Sequence, residues 1–150
     1  MKCAHLIKLS VFSYEDENSQ AILDAFLRFF PFNLEDNQVF LKKTDAAGFN
    51  ERKIRVLEAA LAKDKLINGF LRNLLDKLDE NQKKQVIQQA ESRLDKNLDF
   101  FLRFNKDSWI NENKLALADS GKCFHVKIGI AAFPKKREAA LNIVKEIFSK

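Results

Sequence analysis

The sequence has few of the residues that form linkers, disulfide frameworks or amphipathic aromatic surfaces. Its 150 residues include four Gly, two Pro, two Cys, one Trp and one Tyr. So little Gly and Pro excludes a flexible linker, and the chain contains no internal repeat or low-complexity tract. The two cysteines, Cys3 and Cys123, lie far apart, which predicts a reduced, intracellular protein rather than a disulfide scaffold.

Long apolar segments are missing as well. The longest, Leu6–Phe12 and Ile128–Phe133, fall far short of the ~20 residues that cross a bilayer. The N-terminus has neither a long apolar region nor a small-residue cleavage site, so it does not resemble a signal peptide. We therefore expect a cytoplasmic protein with no membrane contact.

The apolar residues that are present suffice for one core. Hydrophobic residues make up 46 % of the chain, with 14 Phe among them, and charged residues of both signs make up 31 %. That composition excludes a disordered chain. We expect residues 1–150 to form a single domain.

The spacing of apolar residues predicts an α+β fold. Alternation indicates strands, apolar repeats every three to four residues indicate helices, and segment 52–61 fits both patterns. The expected strands are 2–14, 38–44, 100–105, 114–117 and 123–130, with 52–61 as a sixth. The expected helices are 19–30, with Ser19 as its N-cap, 66–78, 86–94 and one that Pro134 opens at its first turn. Turns are expected at Gly48 and through Trp109. Together they predict a single mixed or antiparallel sheet of about six strands, with about four helices packed mainly on one face.

The positive charge is confined to the end of the chain. Residues 122–150 hold seven Lys or Arg and two Glu, a net charge of +5, which equals the +5 of the whole chain. Residues 1–121 are therefore neutral overall. Such a local excess suits an anionic partner such as nucleic acid, and it also suits a solvated lysine face that keeps the protein soluble.

Lys135, Lys136 and Arg137 follow Pro134 at the expected start of the last helix. A helix N-terminus already carries partial positive charge, so three cations there oppose the usual preference. Free N–H groups and basic side chains together would bind a phosphate. The alternative is that all three are solvated and that Glu138 offsets the unfavourable charge.

Two further cations and one aromatic residue fall on the polar sides of predicted strands. Arg103 and Lys127 each alternate with apolar residues, so both should emerge from the outer face of the sheet. If their strands are neighbours, these residues, His125 and the cations after Pro134 form one surface. Phe101 shares the Arg103 side and could stack on a base, although most of the 14 Phe should be core.

We find no metal site and no catalytic set. Cys3 and His5 alternate with core residues, whereas Cys123 and His125 alternate with Lys127, so the two Cys-x-His pairs should lie on opposite faces and bind no zinc. The four glycines are dispersed and form no phosphate loop, and no Ser or Cys has the context of a nucleophile. We expect no enzyme activity and no cofactor.

Three segments in order resemble an archaeal family of small proteins that are described as RNA-binding and predicted to be exosome-associated. They are Arg52–Ala59 (RKIRVLEA), Phe101–Lys106 (FLRFNK) and Phe133–Ala140 (FPKKREAA), and the resemblance extends from about Lys8 to the C-terminus.

The resemblance implies a strand at 52–61 and a fold similar to a ribosomal protein that contacts 5S rRNA. It implies a role in RNA processing or degradation, with RNA and exosome subunits as partners. Arg103, Lys106, Pro134, Lys136 and Arg137 match the family's pattern. With Lys127 and Lys135 added, we expect the basic side chains to bind RNA phosphates.

The rival hypothesis is an interaction module that recognises an acidic protein and makes no RNA contact. Either a monomer or a homodimer fits the sequence.

Overall fold

The chain forms strands and helices as expected for an α+β protein. The computed structural model describes residues 2–47 and 52–150, and within them lie five strands and six α-helices. The strands are β1 (Ala4–Tyr14), β2 (Lys42–Ala47), β3 (Lys53–Leu61), β4 (Asp99–Asn105) and β5 (Cys123–Ile130). The helices are α1 (Ser19–Arg28), α2 (Asp64–Lys77), α3 (Glu80–Gln88), α4 (Ala90–Arg93), α5 (Lys106–Glu112) and α6 (Arg137–Phe148).

The five strands form one antiparallel sheet in the order β2-β3-β1-β5-β4. The register of β2 on β3 pairs Lys42 with Glu58 and Ala47 with Lys53. The strand at 52–61, which periodicity left open, is present as β3, as the family resemblance implied. The α+β class is therefore confirmed, while the expected numbers of strands and helices differ from those observed.

The chain divides into two compact units. Unit 1 comprises Met1–Ile7, Leu61–Leu102 and Val126–Lys150, and unit 2 comprises Lys8–Ala60 and Arg103–His125. The expected single domain stays a prediction. No helix among the described residues is long and apolar enough to span a membrane.

Unit 1 has its core between helices and the apolar sides of its strand segments. Helix α6 contacts α3 and α4, and it buries four apolar residues, including Ala140 and Val144. The ring centroids of Phe100 and Phe148 lie 5.8 Å apart. The alternate residue Phe101 is exposed, so the helices of this unit cover the other side of the β4 segment.

Unit 2 is organised around an aromatic cluster. The ring of Phe29, which directly follows α1, lies 4.9 Å from that of Trp109 and 5.1 Å from that of Phe124, measured between centroids. The indole Nε1–H of Trp109 donates to the carbonyl oxygen of Ala25 at 2.7 Å, so the buried polar group of the ring is satisfied. These contacts join α1 to α5 and hold the end of α1 against β5.

The structure corrects three predicted elements of unit 2. The strand expected from Gln38 begins only at Lys42, because Gln38 adopts a left-handed conformation (φ 58°) after a short 3₁₀ turn. The strand expected at 114–117 is reduced to a single bridge between Leu117 and Phe104. The turn expected through Trp109 is helix α5, which begins where the Asn105 side chain accepts the N–H of Ser108 at 2.9 Å.

Two smaller expectations also change or stay open. Asn18, not Ser19, caps α1, since its side-chain oxygen accepts the N–H of Ala21 at 3.1 Å. The turn expected at Gly48 lies outside the described residues.

Candidate nucleic-acid interface

The segment before the last helix differs from the sequence prediction. Helix α6 begins at Arg137, so Pro134 lies outside the helix rather than in its first turn. The N–H of Lys136 donates to the carbonyl oxygen of Pro134 at 2.8 Å, and Lys136 itself is the extended residue before the helix. Lys135 and Lys136 therefore project from a short loop, and only Arg137 occupies the first turn.

Arg137 is attached to the end of another helix in unit 1. Its Nη1–H donates to the carbonyl oxygen of Leu94 at 3.0 Å, and its Nη2–H donates to that of Glu91. These carbonyls lie within and just after α4, where the last turn of a helix leaves acceptors unsatisfied and a cation is favourable. Arg137 therefore ties the loop of Lys135 and Lys136 to the end of α4.

A basic cleft lies beside this attachment. Asp95, Lys96, Leu98, Lys135 and Arg137 line a cavity of about 410 Å³, to which we refer as the basic cleft. Oδ1 of Asp95 accepts the backbone N–H groups of Asn97 and Asp99, each at 2.9 Å. Three cations thus face one carboxylate that is already engaged in holding its own turn. Such a surface attracts anions.

Phe133 is the most exposed large apolar residue among those described, with 99 % of its surface accessible to solvent. It lies two residues before Lys135. Two residues of extended chain span at most about 7 Å, so the backbone of Phe133 lies near that of Lys135, which lines the basic cleft. The sequence placed Phe133 at the end of an apolar run, and its exposure follows from β5 ending at Ile130.

Phe101 and Lys127 lie on the neighbouring strands β4 and β5. The backbone N–H of Ile130 donates to Leu98 O at 3.0 Å, and this antiparallel register sets residue 127 opposite residue 101. Phe101 is 37 % exposed. Lys127 Nζ lies 3.5 Å from Oδ2 of Asp99, so part of its charge is already compensated inside the protein.

Arg103 and His125 form the corresponding pair in unit 2. The N–H of Lys106 donates to Lys122 O, and this register sets residue 125 opposite residue 103. Arg103 is exposed, and its Nη1–H donates to Asp119 O at 2.8 Å, which leaves further guanidinium donors for a ligand. Burial, with a contribution from the Arg103 charge, lowers the pKa of His125 below its usual 6.5, so the imidazole is neutral at pH 7.

Lys106 is enclosed, which contradicts its predicted place on an RNA-binding surface. Its side chain is 2 % exposed, and Nζ donates to the carbonyl oxygen of Phe12 at 2.7 Å and to Oε1 of Glu17 at 3.1 Å. Nζ also lies 5.3 Å from the centroid of the Tyr14 ring. These partners occupy the donors of the ammonium group, so Lys106 has a structural role in unit 2.

The cysteines and histidines do not follow the expected alternation. His5 is exposed instead of facing the core, and Cys123 is buried instead of facing outward. The His5 ring lies so close to Gly129 that a Cβ atom added to this glycine would be 2.9 Å from the ring. Burial raises the pKa of the Cys123 thiol. Within 2–47 and 52–150, no three His, Cys, Asp or Glu side chains are grouped to hold a metal ion.

One basic element, the segment of β2 and β3, was not predicted from the sequence. Residues 42–55 hold five Lys or Arg and two acidic residues, a net charge of +3. This local excess is not visible in the total charge of residues 1–121, which is zero. A sliding charge window would have found it. Arg55 Nε lies 3.0 Å from Asp45 Oδ1, and Arg52 Nη2 lies 3.6 Å from Asp16 Oδ2, so two of the five cations are paired within unit 2.

The chain is similar to known archaeal proteins over almost its whole length. It is 28 % identical over 144 residues, 95 % of this chain and 92 % of the relative, to the "RNA-binding protein PAB1135" of Pyrococcus abyssi. The fold matches that of protein AF2318 from Archaeglobus fulgidus with a TM-score of 0.85 and 24 % identity, covering 96 % of this chain and 99 % of that one. Mth689 from Methanothermobacter thermautotrophicus has a TM-score of 0.79 and 22 % identity, with 98 % and 99 % covered.

The model of a protein family described as RNA binding matches residues 6–130. The match includes Arg103 and Lys127 and ends before Phe133. The likeness to a 5S rRNA-binding ribosomal protein and the association with the exosome are tested by none of these similarities and stay predictions. Since the matched residues make up most of the chain, the chain belongs to this RNA binding family.

Proposed function

We propose that this protein binds RNA and that Lys96, Lys135 and Lys136, in and beside the basic cleft, hold RNA phosphates. The observation that carries this proposal is the convergence of Lys96, Lys135 and Arg137 on one cleft beside an exposed aromatic residue. Membership of the RNA binding family supports the choice of RNA as the anion. The relative from Pyrococcus abyssi carries the same designation.

The lysines near the cleft are available for an external anion. In the part of the chain that the structure describes, neither Lys135 nor Lys136 forms an ion pair, and both are exposed. An exposed lysine gives a phosphate a compact charge and three donors. Arg137 acts differently, because its bonds to α4 fix the loop, and we assign it the role of a positioning residue.

The other predicted residues would make smaller contributions to RNA binding. Arg103 would bind phosphate through the donors that Asp119 leaves unoccupied, and Lys127 would do so weakly because Asp99 shares its charge. Phe101 would offer a partly exposed ring beside Lys127. Lys106 is left out because its ammonium is enclosed.

The cellular role that we propose is an accessory function in RNA processing or degradation, with exosome subunits as protein partners. This part of the proposal follows from the family resemblance of the sequence. The rival is a module that recognises an acidic protein and makes no RNA contact. That rival predicts capture of a protein partner from nuclease-treated extract and no RNA affinity beyond that of an unrelated protein of equal charge.

The test is fluorescence anisotropy with a labelled single-stranded RNA of mixed sequence, titrated across salt concentrations. Replacing Lys135 and Lys136 with Ala should weaken binding and make the slope of log K against log salt shallower by about 1.4, since each contacted phosphate contributes about 0.7. The melting temperature should not change, because both side chains are exposed.

A matched control removes the same charge elsewhere in unit 1. Lys77 and Lys84 are exposed lysines on α2 and α3, and their double Ala variant should bind RNA nearly as well as the wild type. Equal losses in both double variants would refute the site and indicate binding through net charge. Absence of binding at low salt would refute RNA recognition itself.

A further inference from the structure

An exposed phenylalanine lies two residues before Lys135, one of the lysines that line the basic cleft. Phe133 has 99 % of its surface accessible, whereas Phe101 has 37 %. The loop that carries it is anchored on both sides within unit 1. Before it, the N–H of Ala131 donates to the carbonyl oxygen of Cys3 at 2.9 Å, and after it Arg137 is bonded to the carbonyls of α4. The protein therefore presents this ring to solvent on a short, attached loop.

We propose that Phe133 is a stacking platform for an unpaired base, and that it makes the basic cleft select single-stranded RNA over duplex RNA. This inference rests on the proposed RNA binding and adds the class of RNA. A ring with this exposure offers its face to a ligand without any rearrangement of the core. Lys135, two residues away, would at the same time hold a phosphate of the stacked nucleotide or of its neighbour.

The selectivity follows from the structure of RNA. In an A-form duplex the bases are stacked on each other, and the deep, narrow major groove does not admit side chains. A single strand can turn a base outward onto an aromatic ring, and every base has a face that can stack. Lysines alone contact phosphates in both forms of RNA. The preference for single strands is therefore assigned to Phe133, and it should be largely independent of sequence.

The experiment compares the wild type, Phe133→Ala and Phe133→Trp on three labelled RNAs of equal length. These are a single strand, a duplex and a single strand whose central nucleotides lack bases. The wild type should bind the single strand most tightly. Phe133→Ala should weaken binding to it by about 10-fold or more, the loss typical of one stacked base, and should leave the other two affinities unchanged. Phe133→Trp should retain the preference.

The outcomes separate this inference from the proposed function. If the wild type binds none of the three RNAs, the proposed function and this inference both fail. If the wild type binds but Phe133→Ala has the same affinity for the single strand, only the stacking platform is refuted. The same holds if Phe133→Ala weakens the duplex and the abasic strand as much as the single strand. The melting temperature of each variant should equal that of the wild type, since the ring touches no core residue.

Discussion

Arg137 should contribute to the stability of the fold rather than contact RNA directly, and its replacement separates these roles. In Arg137→Ala, the carbonyl oxygens of Leu94 and Glu91 lose the guanidinium donors that cap the end of α4. A hydrogen bond from a charged donor contributes about 1.5–3 kcal/mol when its partner is withdrawn from water, and much less at an exposed site.

The magnitude follows from the exposure of the two bonds. The bond to Leu94 is partly buried, and the bond to Glu91 is exposed, where water can replace the donor. We therefore expect Arg137→Ala to lower the free energy of unfolding by about 2 kcal/mol, most of it from the Leu94 bond. For a chain of this size that corresponds to a decrease of about 4–8 °C in melting temperature.

The assay is urea denaturation followed by circular dichroism, with RNA affinity measured on the same samples. Arg137→Lys keeps the charge but cannot donate to the carbonyl oxygens of Leu94 and Glu91 at the same time in the geometry of a guanidinium group. This variant should therefore be less stable while retaining most of its RNA affinity. The reasoning would be refuted if Arg137→Ala unfolded like the wild type and lost RNA binding as strongly as the Lys135/Lys136 double variant. Arg137 would then be a phosphate ligand.

Two further predictions concern unit 2. Replacing Lys106 with Met should lower the free energy of unfolding by about 2 kcal/mol, because the mostly buried Glu17 carboxylate loses its closest cation and keeps only the Tyr14 N–H at 3.1 Å and Lys122 Nζ at 3.9 Å. Adding Glu17→Gln should restore part of the loss in urea denaturation. RNA affinity lost without any loss of stability would contradict this. The lowered pKa of His125 means that the folded state resists protonation, so stability should fall as the pH decreases below about 6.5. This dependence should weaken in His125→Gln, and an equal dependence in both proteins would contradict the assignment.

The elements that the sequence predicts well are those with long, regular patterns. β1, β5 and α6 have apolar residues at regular spacing, and most of the buried positions observed there follow it, while His5 in β1 and Cys123 in β5 depart from it. Helix α5 has only seven residues, too few for a pattern, and depends on the cap that Asn105 provides. The late start of α6 was likewise invisible, because proline is compatible with both a loop and a first helical turn.

The candidate site can be inferred from the sequence where it depends on charge composition, and not where it depends on partners that are distant in the sequence. The charge excess of the last segment identified Lys135 and Lys136. The role of Arg137 depends on Leu94, 43 residues away, and that of Lys106 depends on Glu17, 89 residues away. Both cations look available in the sequence, and only the tertiary structure shows their carbonyl and carboxylate partners. The exposure of Phe133 also required the end of β5 to be known.

The central claim is that RNA occupies the loop that carries Phe133 and Lys135. Its most direct test is photo-crosslinking of the wild-type protein to a single-stranded RNA containing 4-thiouridine, with the crosslinked residue identified by mass spectrometry. We predict that the crosslink forms at Phe133 or within the Pro134–Arg137 segment and that excess unlabelled single-stranded RNA suppresses it. Crosslinks confined to other surfaces, such as the β2–β3 hairpin or Arg103, would contradict the claim.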